Sequence, residues 1–375
     1  MASTWGRRGR ALETAAPRRF KSRSVQHAAR LGAIAIALVS IVSSGAVAGS
    51  NTVGYPTSMA STGDSITRAF NTGGYFDDAP NNSWSTGNND TVASHYSRIL
   101  ATEPGIEGRR YNDAVTGAKM NDLLDQVKAA NSQRVAYVTV LIGANDACTR
   151  SEASMTSVAA FRGQFQAALE TLSAGSPRAR IFVVSIPNVY RLWRTLKDNF
   201  LARTAWNVLD ICQSLLDDPR SNDADDVARR QRVRDRVMAF NQQLLEVCRL
   251  YIHCRYDNNA VFDFPFTPEH VSKRDYFHLS LKGQSELAAI TWSATFDFTD
   301  QVTPTSTATV TPVEGGFQVV LQATDDVGVS GIEFRLNGGQ WQPYSAPLSL
   351  TAGDELRFRA VDVNGNSEAT HVLTL

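Results

Sequence analysis

The sequence lacks three features that would each indicate a particular class of protein. Its four cysteines show no Cys-x-x-Cys spacing, so a zinc site has no support. It has no uninterrupted apolar stretch of the roughly 20 residues that a membrane-spanning helix needs. It has no excess of basic residues either, because 37 Lys and Arg are matched by 37 Asp and Glu. These absences disfavour a metal module, a membrane span and a nucleic-acid partner.

The first 48 residues differ from the rest in charge and hydropathy. They hold eight basic residues and one acidic residue, which leaves 29 basic and 36 acidic residues after them and a formal charge of −7. A basic region over 7–30 leads into an apolar stretch over 31–42, and Ala46-Val47-Ala48 fits a small-residue cleavage site. The pattern predicts a cleavable export signal over residues 1–48 and a secreted protein. A membrane anchor formed by residues 31–48 is the alternative.

The four cysteines predict two disulfides, since an even number in an exported chain is typical of a disulfide framework. Four cysteines allow three pairings. We expect Cys248 to pair with Cys254, because these two are close in sequence. That leaves Cys148 to pair with Cys212.

Residues 57–297 alternate between strand and helix patterns. Apolar stretches at 59–61, 109–112, 135–142, 181–186 and 260–264 are the predicted strands. The segments between them carry apolar residues at helical spacing, with Asp90 and Ser280 as predicted N-caps of two helices. Strands that are apolar almost throughout predict a parallel sheet covered by helices on both faces.

The sequence changes in texture at Thr299. Residues 299–312 are rich in Thr, Ser and Pro, which predicts a linker or an extended edge strand. Short alternating runs separated by turn signals then fill residues 313–375 and predict a small all-β domain, an immunoglobulin-like sandwich. Trp341 and Tyr344 are its candidate contacts with cell wall or polysaccharide.

Four short motifs follow one another between residues 57 and 297. They are Gly63-Asp64-Ser65-Ile66, the segment 112–118 with its Gly117, Gly143-Ala144-Asn145-Asp146, and Asp275-Tyr276-Phe277-His278. The first three each follow a predicted strand directly. Because ligands of parallel sheets bind beyond the carboxyl ends of the strands, we expect these motifs to meet at one edge.

Ser65, His278 and Asp275 form a candidate catalytic triad. Serine is a poor nucleophile until a base accepts its proton, and His278 is the candidate base. Asp275 precedes His278 by three residues, so a tight turn can bring its carboxylate to Nδ1 and leave Nε2 free. We favour His278 over His270, which follows Glu269 but lacks an aspartate at this spacing.

Three hydrogen-bond donors are candidates for an oxyanion hole, the site that binds the negatively charged oxygen of a tetrahedral intermediate. They are the backbone N–H groups of Ser65 and Gly117 and the side-chain amide of Asn145. The alternative interpretation of Gly117 is an ordinary loop glycine. The alternative interpretation of Asn145-Asp146 is an ordinary turn. Asp146 itself is expected to cap or orient a loop.

Taken in series, these motifs resemble those of the SGNH hydrolase superfamily, the GDSL-type esterases and lipases, in a secreted actinobacterial form. The letters of the name match Ser65, Gly117, Asn145 and His278, while Ile66 replaces the usual leucine. The resemblance covers about residues 57–297. It implies a three-layer α/β/α, flavodoxin-like fold with a five-stranded parallel sheet in a catalytic domain over 49–298. It also implies ester hydrolysis through an acyl-enzyme, without cofactor or metal.

The expected function is therefore that of a secreted serine ester hydrolase. Its substrate is a small or polymeric ester, either a lipid or acyl ester or an acetylated carbohydrate. Five side chains are candidates either for an apolar wall that contacts an acyl chain or for the face of an amphipathic helix packed on the sheet: Leu192, Trp193, Leu196, Phe200 and Trp206. The alternative is a cell-wall- or carbohydrate-binding protein with a vestigial hydrolase fold, which would lack a catalytic residue. We expect a monomer and no nucleic-acid partner.

Overall fold

The structure is a computed structural model that describes residues 53–375. The predicted export signal and its cleavage site lie outside the described residues. Within residues 53–375, no helix has the length and apolar character needed to cross a membrane.

A five-stranded parallel sheet forms the centre of the first domain, as predicted. Its strands are β1 (Met59–Gly63), β2 (Arg110–Asn112), β3 (Tyr137–Leu141), β4 (Arg180–Val183) and β5 (Cys254–Tyr256). They lie in the order β2-β1-β3-β4-β5, and every neighbouring pair is parallel. The three central strands are buried throughout; β3 and β4 are mostly apolar, as expected for strands covered on both faces, whereas β1 reads Met-Ala-Ser-Thr-Gly.

The predicted strand over 260–264 is wrong. Ala260–Asp263 is a short helix, and the fifth strand is Cys254–Tyr256 instead. The Asp257 carboxylate accepts the amide hydrogens of Asn259 and Val261, both at 3.1 Å, and so closes a turn directly after the strand. The apolar residues that follow therefore continue as a helix that packs under the sheet.

Helices cover both faces of this sheet. They are α1 (His95–Leu100), α2 (Leu123–Gln133), α3 (Ala144–Ala147), α4 (Val158–Gly175), α5 (Val189–Leu196), α6 (Phe200–Val208), α7 (Gln213–Leu216), α8 (Ala224–Cys248), α9 (Ala260–Asp263) and α10 (Leu281–Ala294). Helices α2, α4 and α8 share one apolar core with the sheet, and α1 and α10 share the other. The three-layer α/β/α arrangement is thus confirmed.

One of the two predicted helix caps is wrong. Ser280 caps α10, because its Oγ accepts the Gly283 amide hydrogen at 3.1 Å. Asp90, however, lies in a turn, and α1 begins only at His95. Ser94 is the N-cap, since its Oγ accepts the Ser97 amide hydrogen at 3.1 Å. Ala93 has a left-handed backbone (φ 50°), which ends any helix that starts before it.

Two antiparallel sheets that pack face to face form the C-terminal region. One holds β6 (Thr305–Val313), β7 (Gly316–Thr324) and β10 (Leu348–Leu350); the other holds β8 (Val329–Leu336), β9 (Gln342–Pro343), β11 (Glu355–Asp362) and β12 (His371–Thr374). Both contribute to one core around Val319, Leu356 and Phe358. Strand β6 lies at the edge of its sheet and takes in most of the segment predicted as linker or edge strand. The immunoglobulin-like topology stays a prediction.

The C-terminal sheets dock onto the amino ends of strands β4 and β5. The buried guanidinium of Arg180, the first residue of β4, donates to the Gly54 carbonyl at 2.5 Å and to Asn366 Oδ1 at 2.7 Å. Burial lowers the pKa of Arg180 to about 10, although Asp362 and Asp300 lie nearby. Ser330 Oγ donates to the Ile252 carbonyl just before β5, at 2.9 Å. The C-terminal region does not cover the carboxyl ends of the parallel strands.

Both disulfides pair as predicted. Cys148 is bonded to Cys212 and Cys248 to Cys254. The first bond ties the end of α3 to the start of α7 across 64 residues, and the second ties the end of α8 to β5 across six.

Candidate active site

Ser65 lies in the turn that leaves the carboxyl end of β1. Gly63 has φ 141°, and a Cβ placed there would lie 2.1 Å from the Leu141 carbonyl oxygen, so only glycine fits. The Gln126 side chain accepts the Gly63 amide hydrogen at 2.7 Å and donates to its carbonyl at 2.9 Å. Gln284 Nε2 donates to the Ile66 carbonyl at 2.8 Å. Two buried glutamines therefore fix the backbone on either side of Ser65.

The three predicted triad residues form one continuous hydrogen-bonded chain. Ser65 Oγ lies 2.8 Å from His278 Nε2, and His278 Nδ1 lies 2.6 Å from Asp275 Oδ2. His278 is flanked by the rings of Phe70 and Phe277, with centroids 4.8 and 5.2 Å away. Ser65 and the Asp275–His278 pair, more than 200 positions apart in sequence, are thus joined by hydrogen bonds along which a proton can move.

The Asp275 carboxylate is held in its ionised form. Burial acts to raise its pKa, but the bond to His278, the His278 charge and the amides of Phe277 and His278 outweigh burial and leave the pKa below its ordinary value. An ionised carboxylate only accepts hydrogen bonds. His278 Nδ1 must therefore carry the proton, which makes Nε2 an acceptor for the Ser65 hydroxyl.

A hydrogen bond inside the loop fixes the position of His278. The Ser272 amide donates to the His278 carbonyl at 2.8 Å, beside an antiparallel bridge between Val271 and Leu279. Trp206 Nε1 donates to the Tyr276 carbonyl at 3.0 Å from outside the loop. Tyr276 has φ 57°, so this contact steadies a backbone conformation that is unfavourable for tyrosine.

The three predicted oxyanion donors lie on neighbouring loops. Asn145 Nδ2 donates one hydrogen to the Ala118 carbonyl at 2.9 Å, which joins it to the loop of Gly117. The amides of Ser65 and Gly117 have no acceptor within residues 53–375. Asp146 accepts the Met120 amide at 2.9 Å and the Thr156 hydroxyl at 2.6 Å, so it orients loops as predicted. The second Asn145 hydrogen and the two amides are thus available to a ligand.

A second carboxyl, Asp64, is fully buried next to Ser65. Its Oδ1 accepts the Ile66 amide hydrogen at 2.9 Å, and its Oδ2 has no partner in the part of the chain that the structure describes. Burial raises the pKa of Asp64 to about 7, although the Ile66 amide and His278 lower it. Below that pH the group is mainly neutral, so Asp275 is the charged partner of His278.

A small, largely apolar cavity of about 70 Å³ opens at Ser65 and His278. Its apolar walls are Ile66, Val189, Leu192, Val271, Phe277 and Leu279. Of the predicted acyl wall, only Leu192 lies here. Leu196 and Trp206 are buried in the core, Trp193 is turned to the Pro219 carbonyl, and Phe200 is 70% exposed. Helix α5 presents one face to the cavity, so its other apolar residues serve packing.

The sequence patterns did not indicate Asn71, although it belongs to the site. Asn71 is fully buried, and its Nδ2 donates to Asp275 Oδ2 at 2.6 Å. No local signal marks this contact, because its partner is 204 residues away. His270, the competing base, instead accepts the Thr267 amide hydrogen at 3.0 Å and does not line the cavity.

We expect Asn71→Ala to lower kcat about tenfold with little change in KM. The side chain supplies a hydrogen bond to a charged group, and such bonds contribute roughly 1.5–3 kcal/mol. Asn258→Ala is the matched control, since Asn258 is exposed and has a similar left-handed backbone (φ 52° against 63°). Steady-state kinetics at several pH values measures kcat and KM for both variants. An equal loss in the control would mean that backbone strain, and not the bond to Asp275, explains the effect.

Comparison with known proteins agrees with these motifs. The sequence model of the family described as GDSL-like lipase/acylhydrolase matches residues 61–291, more than half of the chain. The comparison with curated proteins gives no match.

Similar solved structures share little sequence with this chain. One, described as a GDSL-like lipase from Parabacteroides merdae, is 16% identical with a TM-score of 0.39, covering 65% of this chain and 97% of its own. Another is LAE5, an α/β hydrolase from the metagenome of Lake Arreo, with 16% identity, a TM-score of 0.39, and coverage of 65% and 95%. A two-domain esterase active on acetylated mannans is 12% identical with a TM-score of 0.31, covering 84% and 85%.

The family match spans the loops of Ser65, Gly117 and Asn145 together with the Asp275–His278 loop, and it confirms the resemblance seen in the sequence. This chain belongs to the GDSL-like lipase/acylhydrolase family and is a carboxylic ester hydrolase.

Proposed function

We propose that Ser65, His278 and Asp275 are the catalytic residues. Ser65 Oγ attacks the ester carbonyl carbon while its proton passes to His278 Nε2, and Asp275 stabilises the imidazolium through Nδ1–H. His278 then gives the proton to the departing alcohol oxygen, which leaves an acyl group on Ser65. Water, deprotonated by His278, attacks that ester and releases the acid. The observation that carries this proposal is the Ser65–His278–Asp275 chain at 2.8 and 2.6 Å.

The negative oxygen of each tetrahedral intermediate is held by the Ser65 and Gly117 amides and by Asn145 Nδ2. Each donor of this kind contributes on the order of 3 kcal/mol to transition-state stabilisation. The bond from Asn145 to the Ala118 carbonyl supports this assignment, because it fixes the side chain while leaving one hydrogen for substrate.

The preferred substrate carries a short acyl group, such as acetate. The apolar cavity at Ser65 measures about 70 Å³, well below the roughly 300–1,000 Å³ of sites that enclose a drug-sized ligand, and the groove of about 270 Å³ that adjoins it at Asn188, Arg191 and Thr195 is lined mostly by polar side chains. Its apolar walls favour a methyl or ethyl group over a polar one. A short acyl chain on a larger alcohol, including a carbohydrate, fits this arrangement better than a long-chain lipid.

An acyl-length series tests this proposal. We expect kcat/KM for p-nitrophenyl esters to be highest at acetate and to fall at least about tenfold by octanoate, because an acyl chain too long for the cavity must stay in water. Leu192→Ala widens the cavity and should move the optimum to longer chains. A wild-type optimum at octanoate or beyond would contradict the short-acyl assignment.

We further propose that the protein is exported and that residues 49–298 form its catalytic domain. The basic-then-apolar start of the sequence and the two disulfides support export. The alternative, a binding protein with a vestigial hydrolase fold, requires a missing or blocked catalytic residue. The connected Ser65–His278–Asp275 chain argues against that alternative.

A further inference from the structure

A groove rich in arginine lies between the C-terminal sheets and the amino edge of the parallel sheet. It has a volume of about 460 Å³, within the size range of ligand sites. Five arginines line it together with Trp341: Arg134 and Arg178 from the first domain, and Arg335, Arg357 and Arg359 from strands β8 and β11. Arg359 pairs with Glu333 and Arg357 with Glu355, and the Arg335 guanidinium lies over the Trp341 ring at 5.1 Å.

The charge of this groove is not explained by folding alone. Arg134 and Arg178 follow the carboxyl ends of α2 and α4, where a positive charge favours the helix. Arg335 and Arg357, however, are directly opposite each other on antiparallel strands. Like charges in that position destabilise a sheet. The Nε of Arg335 is also buried without a hydrogen-bond partner among the described residues. Glu355 supplies one counter-charge to this pair of arginines, which leaves a place for one further anion beside Arg335.

Trp341 joins this groove to a second one of different character. Ser176, Pro177, Ala179 and Trp341 line both, so the two are continuous. The second groove, of about 290 Å³, is lined by the neutral polar groups of Ser173, Tyr251, Gln340 and Gln342 and by two carboxylates, Glu170 and Glu333. Glu333 is already paired with Arg359, but a uniformly charged polyanion such as polyphosphate would still meet the Glu170 carboxylate. Sugar hydroxyls both donate and accept hydrogen bonds, so they can bond to that carboxylate as well as to the neutral polar groups.

We propose that this continuous groove binds an acidic polysaccharide, a chain of sugars of which some carry a carboxylate. A uronate carboxylate lies against Arg335 and Arg357, whose planar guanidinium groups match carboxylate geometry. Adjacent hydroxyls contact the Gln340, Gln342 and Glu170 side. The groove is at the amino ends of β3 and β4, whereas Ser65 follows the carboxyl end of β1, so polysaccharide bound there does not occupy the catalytic cavity.

Calorimetric titration with a short oligosaccharide in which glucuronate and neutral sugars alternate tests this binding site. We expect wild type to bind it, to bind the carboxyl-reduced oligosaccharide at least about tenfold more weakly, and to lose affinity as salt rises. Arg335→Gln and Arg357→Gln should each weaken binding by about tenfold, because each removes a charge-assisted bond. Arg150→Gln is the matched control, since that side chain is 85% exposed and lies outside the groove.

Three results would overturn the proposal: no binding by wild type, equal weakening by Arg150→Gln, or tighter binding of a polyphosphate of similar length. The melting temperature of unliganded Arg335→Gln should equal or exceed that of wild type, because a repulsive pair is removed. Hydrolysis of p-nitrophenyl acetate by Arg335→Gln should match wild type. A failure of polysaccharide binding therefore leaves the catalytic assignment standing, and a catalytic failure leaves the groove standing.

Discussion

Ser65→Ala is expected to lower kcat for p-nitrophenyl acetate by roughly 10⁴–10⁶-fold, because the nucleophile and its proton path are removed together. The residual rate would come from the oxyanion donors and from binding, which the substitution leaves intact. KM should change little, since the side chain removed is one hydroxyl group. This is the largest effect that the site predicts, and stopped-assay kinetics with purified protein measures it.

Ser58→Ala provides the matched control for this variant. Ser58 is also buried, and it precedes β1 at the end away from the catalytic edge, where its Oγ accepts the Ala136 amide hydrogen at 3.0 Å. That variant should keep wild-type kcat even if it loses some stability. A fluorophosphonate should label wild type on the peptide containing Ser65, and should label Ser58→Ala equally. Wild-type turnover by Ser65→Ala, or labelling at another serine, would refute the assignment of the nucleophile.

Replacing Cys148 and Cys212 together by serine is expected to lower the free energy of unfolding by about 4 kcal/mol. The bond closes a loop of 64 residues, and the loss of chain entropy in the unfolded state grows with loop length. Activity should fall as well, because Cys148 ends the segment that begins with Asn145. Urea denaturation with a fitted slope, together with kcat at low denaturant, measures both effects.

The pair Cys248 and Cys254 is the internal control for that experiment. Its loop has only six residues, so the same argument predicts a loss of about 2 kcal/mol for the double serine variant. Its bond ties α8 to β5 and does not touch the Asn145 loop, so kcat should stay close to wild type. Equal losses of stability and activity in the two variants would show that loop length and the link to Asn145 do not govern the result.

The sequence was sufficient for features that depend on local patterns. The predicted strands overlap four of the five parallel strands, and the pattern is clearest in β3 and β4, which are buried throughout and mostly apolar. The fifth, Cys254–Tyr256, is partly exposed and only three residues long, so it carries no such pattern. The apolar run at 260–264 predicts a strand in its place, because a short run of this kind fits a strand and a buried helix equally well.

The sequence patterns do not predict contacts between segments that are distant in sequence. Asn71 reads as an ordinary turn residue until the fold brings Asp275 to it. Gln126 and Gln284 lie in helical segments whose spacing says nothing about hydrogen bonds to the Ser65 turn. The arginine groove combines strands β8 and β11 with residues before β3 and β4, so its charge appears only once the two regions dock. Local propensity cannot encode such pairings, which depend on tertiary packing.

Because the C-terminal sheets attach at the amino edge through Arg180 and Ile252, they add nothing to the walls around Ser65. Selection on the surface of the C-terminal sheets and selection for a different acyl group therefore act on separate sets of residues. Evolution, or an engineer, is free to alter the exposed surface of the C-terminal sheets while the residues around Ser65 stay the same.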